Sequence, residues 1–450
     1  MSLGWLFERF DRYAEHDAFV WHDKIFSYGQ LLQKTDDATR FLARHQIEPG
    51  APVLLHADFS PGAVALLLAV AREGHVVVPI AANAVADRGE LARIAQCVAR
   101  IDVDGADNYH MARLAQRVDH PLLLELRQQR RAGLVLFSSG STGKPKATLH
   151  DLEMLLSRFQ AERHTQRIMS FLLFDHIGGF NTLIYALSNH GCVVTVEARD
   201  PETVCRAIER HRVEVLPTSP TFLNLLLMSG AVERYDLSSL KLIDYATEVM
   251  PQATLDRLNQ ALPWVKFHQS YGLSEVGIMR TRSRDGRSLW LAIGGGTQTR
   301  VVEGILQIKA PTTMIGYLNA ASPLTADGWF NTQDEVEVDG DWLRVKGRET
   351  DIINVGGDKV YPAEVESVIM EVDNIADVTV TGEPHPFTGE IVVAEVTTMN
   401  DEDIREVVKR VRSHCFKKLP AFKVPVRIDR AERNRVTERF KKRRRITPAT

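Results

Sequence analysis

Ser138-Ser139-Gly140-Ser141-Thr142-Gly143-Lys144-Pro145-Lys146 is the stretch of this chain best composed to hold an anion. Glycines let a backbone turn and approach a ligand closely, while hydroxyls and backbone N–H groups donate to anionic oxygens. With two lysines added, the composition suits a polyphosphate. The loop follows the apolar run Leu134-Val135-Leu136-Phe137, which reads as a buried strand. A Walker A loop needs Gly-Lys-Ser/Thr opening a helix. Here Gly143-Lys144 runs into Pro145, which lacks an N–H and disfavours helical backbone in the residue before it. The loop is thus a phosphate site of another kind, or else an ordinary Ser/Gly turn.

Three further clusters bear on that choice. Tyr271-Gly272-Leu273-Ser274-Glu275 follows His268-Gln269-Ser270. An aromatic residue before a glycine turn can stack on a nucleobase, and a following carboxylate can hold Mg²⁺ bridging phosphates. Asp334 and Arg348, fourteen positions apart, suit ribose hydroxyls and ribose or phosphate oxygens. Gly356-Gly357 feeds a segment starting at Pro362. Each has a plain reading when it stands alone: a turn, a surface ion or a connection.

The elements that must position these residues alternate. Helical patterns at Leu31–His45, Gly62–Arg72, Glu202–His211 and Pro220–Met228 are interleaved with strand-like runs at Pro52–His56, His75–Ile80 and Val213–Leu216. Such alternation predicts parallel sheets covered by helices. From about Gly294 shorter strand-like runs with turn residues predict an antiparallel β-rich subdomain over 294–348. After Arg348, a proline-started helix over Pro362–Val372 and strands at Val378–Thr381 and Ile391–Thr398 predict a small α+β domain. The expected fold class is α/β, with a large N-terminal domain over 1–348 and a small mobile C-terminal domain over 349–450.

With 450 residues, 44% hydrophobic and 25% charged, the chain has the composition of a soluble globular protein. A net charge of −3 argues against nucleic-acid binding. The longest apolar run, around Ala63–Val70, is too short to span a bilayer, and the N-terminus lacks the order of a signal peptide. Cys97, Cys192, Cys205 and Cys415 are scattered without metal-ligand spacing and read as reduced thiols of a cytoplasmic protein.

In order and spacing these segments resemble the adenylate-forming superfamily: acyl- and aryl-CoA synthetases, adenylation domains of nonribosomal peptide synthetases, and luciferase. Phe26-Ser27-Tyr28-Gly29-Gln30-Leu31 is similar to its first motif and Ser138–Lys146 to its phosphate loop. Tyr271–Glu275, Asp334 and Gly347-Arg348 are similar to later motifs. The resemblance implies attack of a carboxylate on the α-phosphate of Mg·ATP, giving an acyl-adenylate and pyrophosphate, then transfer to a thiol. It places Ser138, Ser139, Gly140, Ser141, Thr142, Gly143 and Lys146 on the phosphates. Glu275 and Thr142 fall on Mg²⁺, and Ala246, Thr247, Glu248, Tyr271, Gly272 and Ser274 around the adenine. Asp334 and Arg348 fall on the ribose. Arg435-Val436-Thr437-Glu438-Arg439-Phe440-Lys441 stands where the family carries a catalytic lysine, with Phe440 in place of glycine. Lys441 is the expected catalytic residue and Lys442 its competitor.

The substrate side is implied in the same way. His176-Ile177-Gly178-Gly179 fits the aromatic-His-x-x-Gly pattern of acyl-CoA synthetases, whereas Asp175 keeps an amino-acid substrate open. The expected substrate is a fatty or aromatic acid. His176, Gly178, Asn181 and Tyr245 are expected along the acyl and thiol tunnel, with Gly356 and Gly357 where pantetheine passes. The acceptor is CoA, or phosphopantetheine on a carrier protein acting in trans. A noncatalytic nucleotide-binding scaffold is the reading from another class. The region 81–133 is short against the family, which bears on the CoA adenine site or a homodimer surface. The ten Lys and Arg between Arg427 and Arg445 suit a solvated terminus, CoA phosphates or an acidic carrier.

Overall fold

The computed structural model describes residues 3–84, 86–139 and 144–431. Two seven-stranded sheets form the large domain. One runs Lys266–Gln269, Leu242–Tyr245, Val215–Thr218, Arg167–Met169, Cys192–Val194, Asp17–Trp21, Lys24–Ser27, parallel except for its last hairpin. The other centres on Val76–Ala81, with Pro52–Ala57 and Gly133–Ser139 as its parallel neighbours.

The helix Pro61–Arg72 shares one core with both sheets. Proline at its first turn and Ser60, whose hydroxyl accepts the Ala63 N–H at 3.0 Å, start it. Every residue from Pro61 to Ala71 is buried. A helix apolar all round needs cover on all sides. Phe19, Ile168 and Val193 of one sheet and Val53, Leu55 and Val77 of the other supply it in a single cluster.

An antiparallel six-stranded sheet follows, running from Arg280 to Arg348, so the β-rich subdomain starts earlier than the expected 294. Beyond the short turn Glu349–Asp351 comes a five-stranded sheet, with Pro362–Ile369 and Ile404–Lys418 packed in its core. This unit touches the large domain where the Asn224 amide donates to the Ala376 carbonyl at 2.9 Å and the Gln252 N–H to Ser367 Oγ at 3.2 Å. The described start of the basic tail is neutralised locally, with Arg427 on Glu383 and Asp429, and Arg430 on Asp401. Among the described residues no helix is long and apolar enough to cross a membrane.

Candidate active site

The phosphate-type loop lies between two antiparallel strands, Gly133–Ser139 and Pro145–Asp151, with Ser138 opposite Lys146 and Ser139 opposite Pro145. No helix follows it, as Pro145 demands. Gly140, Ser141, Thr142 and Gly143, the Ser139 side chain, and Lys441 and Lys442 lie outside the described residues.

Lys146 Nζ stands 5.5 Å from the centre of the Tyr317 ring, a cation–π distance. The Tyr317 hydroxyl donates to Glu275 Oε1 at 2.6 Å. Tyr317 reaches this position because the edge strand Gly316–Tyr317 pairs with Thr148 and Leu149. Glu275 is further fixed through its carbonyl, which accepts the Met314 N–H at 2.7 Å. His150, 1% exposed, contacts the neighbouring Ser274 carbonyl through Nε2 at 2.6 Å. A carbonyl only accepts, so Nε2 carries the proton. Burial pushes the His150 imidazole down to about 4, which keeps it neutral.

Asp334 and Arg348 face each other in a hairpin whose turn is Gly340, which explains the fourteen-residue spacing. Asp334, 6% exposed, accepts Arg348 Nε at 3.2 Å on one oxygen and the Tyr271 hydroxyl at 2.5 Å on the other. Burial raises the Asp334 carboxyl above its usual range, although Arg348 and Tyr271 pull the other way. Arg348 also lies within electrostatic reach of Glu275. Gly272 is required by its strand partner, since a Cβ there would stand 2.7 Å from both the Gly277 carbonyl oxygen and Ile278 Cα.

Ala246, Thr247 and Glu248 leave the C-terminal end of strand Leu242–Tyr245. Thr247 has φ +79°, an unusual value for a β-branched residue, and its hydroxyl is buried without a hydrogen-bond partner among the described residues. Glu248 Oε2 accepts the Thr221 hydroxyl at 2.5 Å, at the start of helix Pro220–Ser229, where the dipole favours an anion.

His176 caps helix Ile177–Ser188, its Nδ1 accepting the Gly178 N–H at 3.1 Å. Gly178 leaves room for this cap: a Cβ would lie 3.1 Å from that same Nδ1 and 2.8 Å from Leu172. At Gly179 a Cβ would sit 2.0 Å from the Leu173 carbonyl oxygen. Gly179→Ala is therefore expected to lower stability by about 1–3 kcal/mol, as overpacking does, measured as a reduced urea midpoint at unchanged m-value.

Behind this helix lies a cavity of about 580 Å³, with Asn181, Tyr185, Asp244 and His268 in its wall. Tyr245, expected in the tunnel, is 2% exposed and packs in the core on the opposite face of its strand. Side chains alternate along a strand, so Asp244 takes the cavity face in its place. His268 Nδ1 pairs with Asp244 Oδ1 at 2.7 Å, and the Ser270 hydroxyl reaches both Asp244 oxygens at 2.8 and 2.9 Å. Gly356 and Gly357 are not in this wall. They form a turn with φ +64° and +98°, where a Cβ would meet nothing within 4 Å. Backbone conformation by itself favours glycine there. Sequence reasoning missed Tyr317 and His150, which join the site by strand pairing and leave no spacing signal.

Residues 6–318 match the family described as AMP-binding enzyme, and 364–441 match the AMP-binding enzyme C-terminal domain. A methyl-dioxo-octahydroindenyl-propanoyl:CoA ligase of Mycobacterium tuberculosis is 33% identical over 314 residues, covering 65% of this chain and 61% of that protein. Indoleacetate–CoA ligase of Aromatoleum aromaticum is 29% identical over 297 residues, covering 59% and 57%. The chain thus spans about three fifths of the length of these curated relatives. The crystal structure of the anthranilate CoA ligase AuaEII with anthranoyl-AMP superposes with a TM-score of 0.84 at 19% identity, covering 98% of this chain and 95% of that one. ATP-bound MatB from Rhodopseudomonas palustris gives 0.78 at 19% identity, covering 97% and 96%. Fold, motif order and family match agree, and the chain belongs to the AMP-binding enzyme family of the adenylate-forming superfamily.

Proposed function

We propose that this chain activates a carboxylic acid with ATP and passes the acyl group to the thiol of CoA. The acid's carboxylate attacks the α-phosphorus, pyrophosphate leaves, and an acyl-adenylate forms. The thiol then attacks the acyl carbon and AMP leaves. One observation carries the reading: Arg348, which with Tyr271 holds the buried Asp334, lies within electrostatic reach of Glu275, itself joined by Tyr317 to Lys146 beside the hydroxyl-rich hairpin. In this reading Asp334 is the ribose acceptor and Lys146 with Glu275 the phosphate end. The cavity lined by Asn181, Tyr185 and Asp244 serves as the acid pocket.

In this reading the chain contributes position and charge, because phosphoryl transfer needs little covalent help from the protein. Asp334 accepts from the ribose hydroxyls and Lys146 faces phosphate oxygens. Glu275 would hold Mg²⁺, a donor set that fits an ion bound through one carboxylate plus nucleotide phosphates. When bound, that ion neutralises phosphoryl charge. The acid is fatty or aromatic and lacks an α-amino group.

Acid-dependent ATP–pyrophosphate exchange across fatty, aryl and amino acids tests the proposal. Exchange with a fatty or aryl acid, followed by thioester formation with CoA, supports it. Thioester formation on a phosphopantetheinylated carrier in place of CoA reassigns the acceptor. Nucleotide binding with no exchange for any acid overturns it in favour of a scaffold.

A further inference from the structure

Among the described residues, the cavity proposed for the acid carries positive charge without a carboxylate partner. Arg158 lies in its wall, half-buried, next to the Phe159 ring. Two of its contacts are to neutral oxygens: the Ile278 carbonyl and Asn181 Oδ1, the latter at 3.2 Å. A guanidinium has five N–H donors, so donors remain beyond these two bonds. Arg163 lines the same cavity and adds a second positive charge close enough to act on Arg158. Among the described residues, neither guanidinium has a carboxylate within 4 Å. Asp244, the carboxylate in the wall, is taken up by His268 and Ser270. Burial and the Arg163 charge together push the Arg158 guanidinium down to about 10. A half-buried cation without a counter-ion is costly, and a bidentate anion is its natural complement.

Asn181, which holds Arg158, lies on helix Ile177–Ser188, whose Tyr185 also lines the cavity.

We infer that the acid activated here carries a second anionic group at its far end, and that Arg158, backed by Arg163, is the specificity residue that receives it. The substrate is then a dicarboxylic acid. This rests on the acid-activating reading above and names its substrate class.

The test uses the full-length protein, a graded series of α,ω-diacids from adipate to sebacate, and monocarboxylic acids of matched length. In pyrophosphate exchange the wild type should prefer the diacid in kcat/KM by about ten- to hundredfold, the scale of a charge-assisted hydrogen bond. Arg158→Met should collapse that ratio and Arg158→Lys should restore part of it. Calorimetric binding of suberate without ATP should be lost in Arg158→Met. A wild type that favours the monoacid, or a ratio and suberate binding unmoved in Arg158→Met, overturns the inference. If Arg158→Met fails to fold, the wild-type ratio and Arg163→Met decide in its place. If no acid supports exchange yet suberate binds through Arg158, the activity reading fails while the anion site stands.

Discussion

Asp334→Asn is expected to lower kcat/KM for ATP in acid-dependent exchange by about 10²-fold or more, with little change in KM for the acid. A carboxylate can accept both ribose hydroxyls while it holds Arg348 and Tyr271, since its two oxygens offer about four lone-pair sites. Hydrogen bonds to a charged acceptor contribute about 1.5–3 kcal/mol each. Asparagine keeps one acceptor oxygen and must turn its NH₂ toward either the Arg348 Nε–H or the ribose. Donor then faces donor, or a hydroxyl loses its acceptor. Tyr271→Phe separates binding from scaffolding. It removes the 2.5 Å contact to Asp334 while leaving the carboxylate and the ring, so its loss should be at least tenfold smaller. Equal losses in the two variants would show that Asp334 acts by holding Tyr271 in place. Unfolding midpoints of both proteins, measured alongside, exclude collapse of the hairpin as the cause.

The Asp334–Arg348 pairing and the hairpin at Pro145 were legible in the sequence because they are built from local pieces. Pro145 ruled out a helix after the phosphate-type loop, and the structure has a strand there. The fourteen residues between Asp334 and Arg348 are one hairpin, so spacing alone brings them face to face. The cavity wall was less legible. Tyr245 was misplaced because a bulky residue beside a motif looks pocket-facing, yet one step along a strand reverses the side-chain direction. Arg158 sits in the short turn Ser157–Phe159, outside any pattern, and meets Asn181 only through the tertiary fold. Tyr317 joins Glu275 across forty-two residues by edge-strand pairing, a long-range register that no local signal encodes. Gly356 and Gly357 carry a positive φ, a backbone reason for glycine that no spacing in the sequence signals.

Lys441→Ala is expected to lower acid-dependent pyrophosphate exchange by about 10²–10³-fold, the scale of removing one donor that acts on developing charge. The argument is one of position among cations. Arg348 is tied through Nε to Asp334, the proposed ribose end, and Lys146 lies over Tyr317 beside Glu275, the proposed phosphate end. Adenylation also builds negative charge where the incoming carboxylate meets the α-phosphorus, between those two cations and the acid pocket. We propose that Lys441 serves that point. The C-terminal family match runs through residue 441 and stops before Lys442. Thr437 keeps its four-residue offset from Lys441, although Phe440 replaces the glycine that the family places before the lysine. Lys442→Ala should therefore change exchange by less than about threefold, because only a donor that meets the developing charge contributes on that scale. The opposite pattern would move the role one residue along. Thiol transfer from a preformed acyl-adenylate gives a second readout. That step has no pentavalent phosphorus to stabilise, so Lys441→Ala should retain it while exchange collapses. Parallel loss of both reactions would mean that Lys441 supports the small domain's fold, and the cation at the α-phosphorus would have to be sought elsewhere.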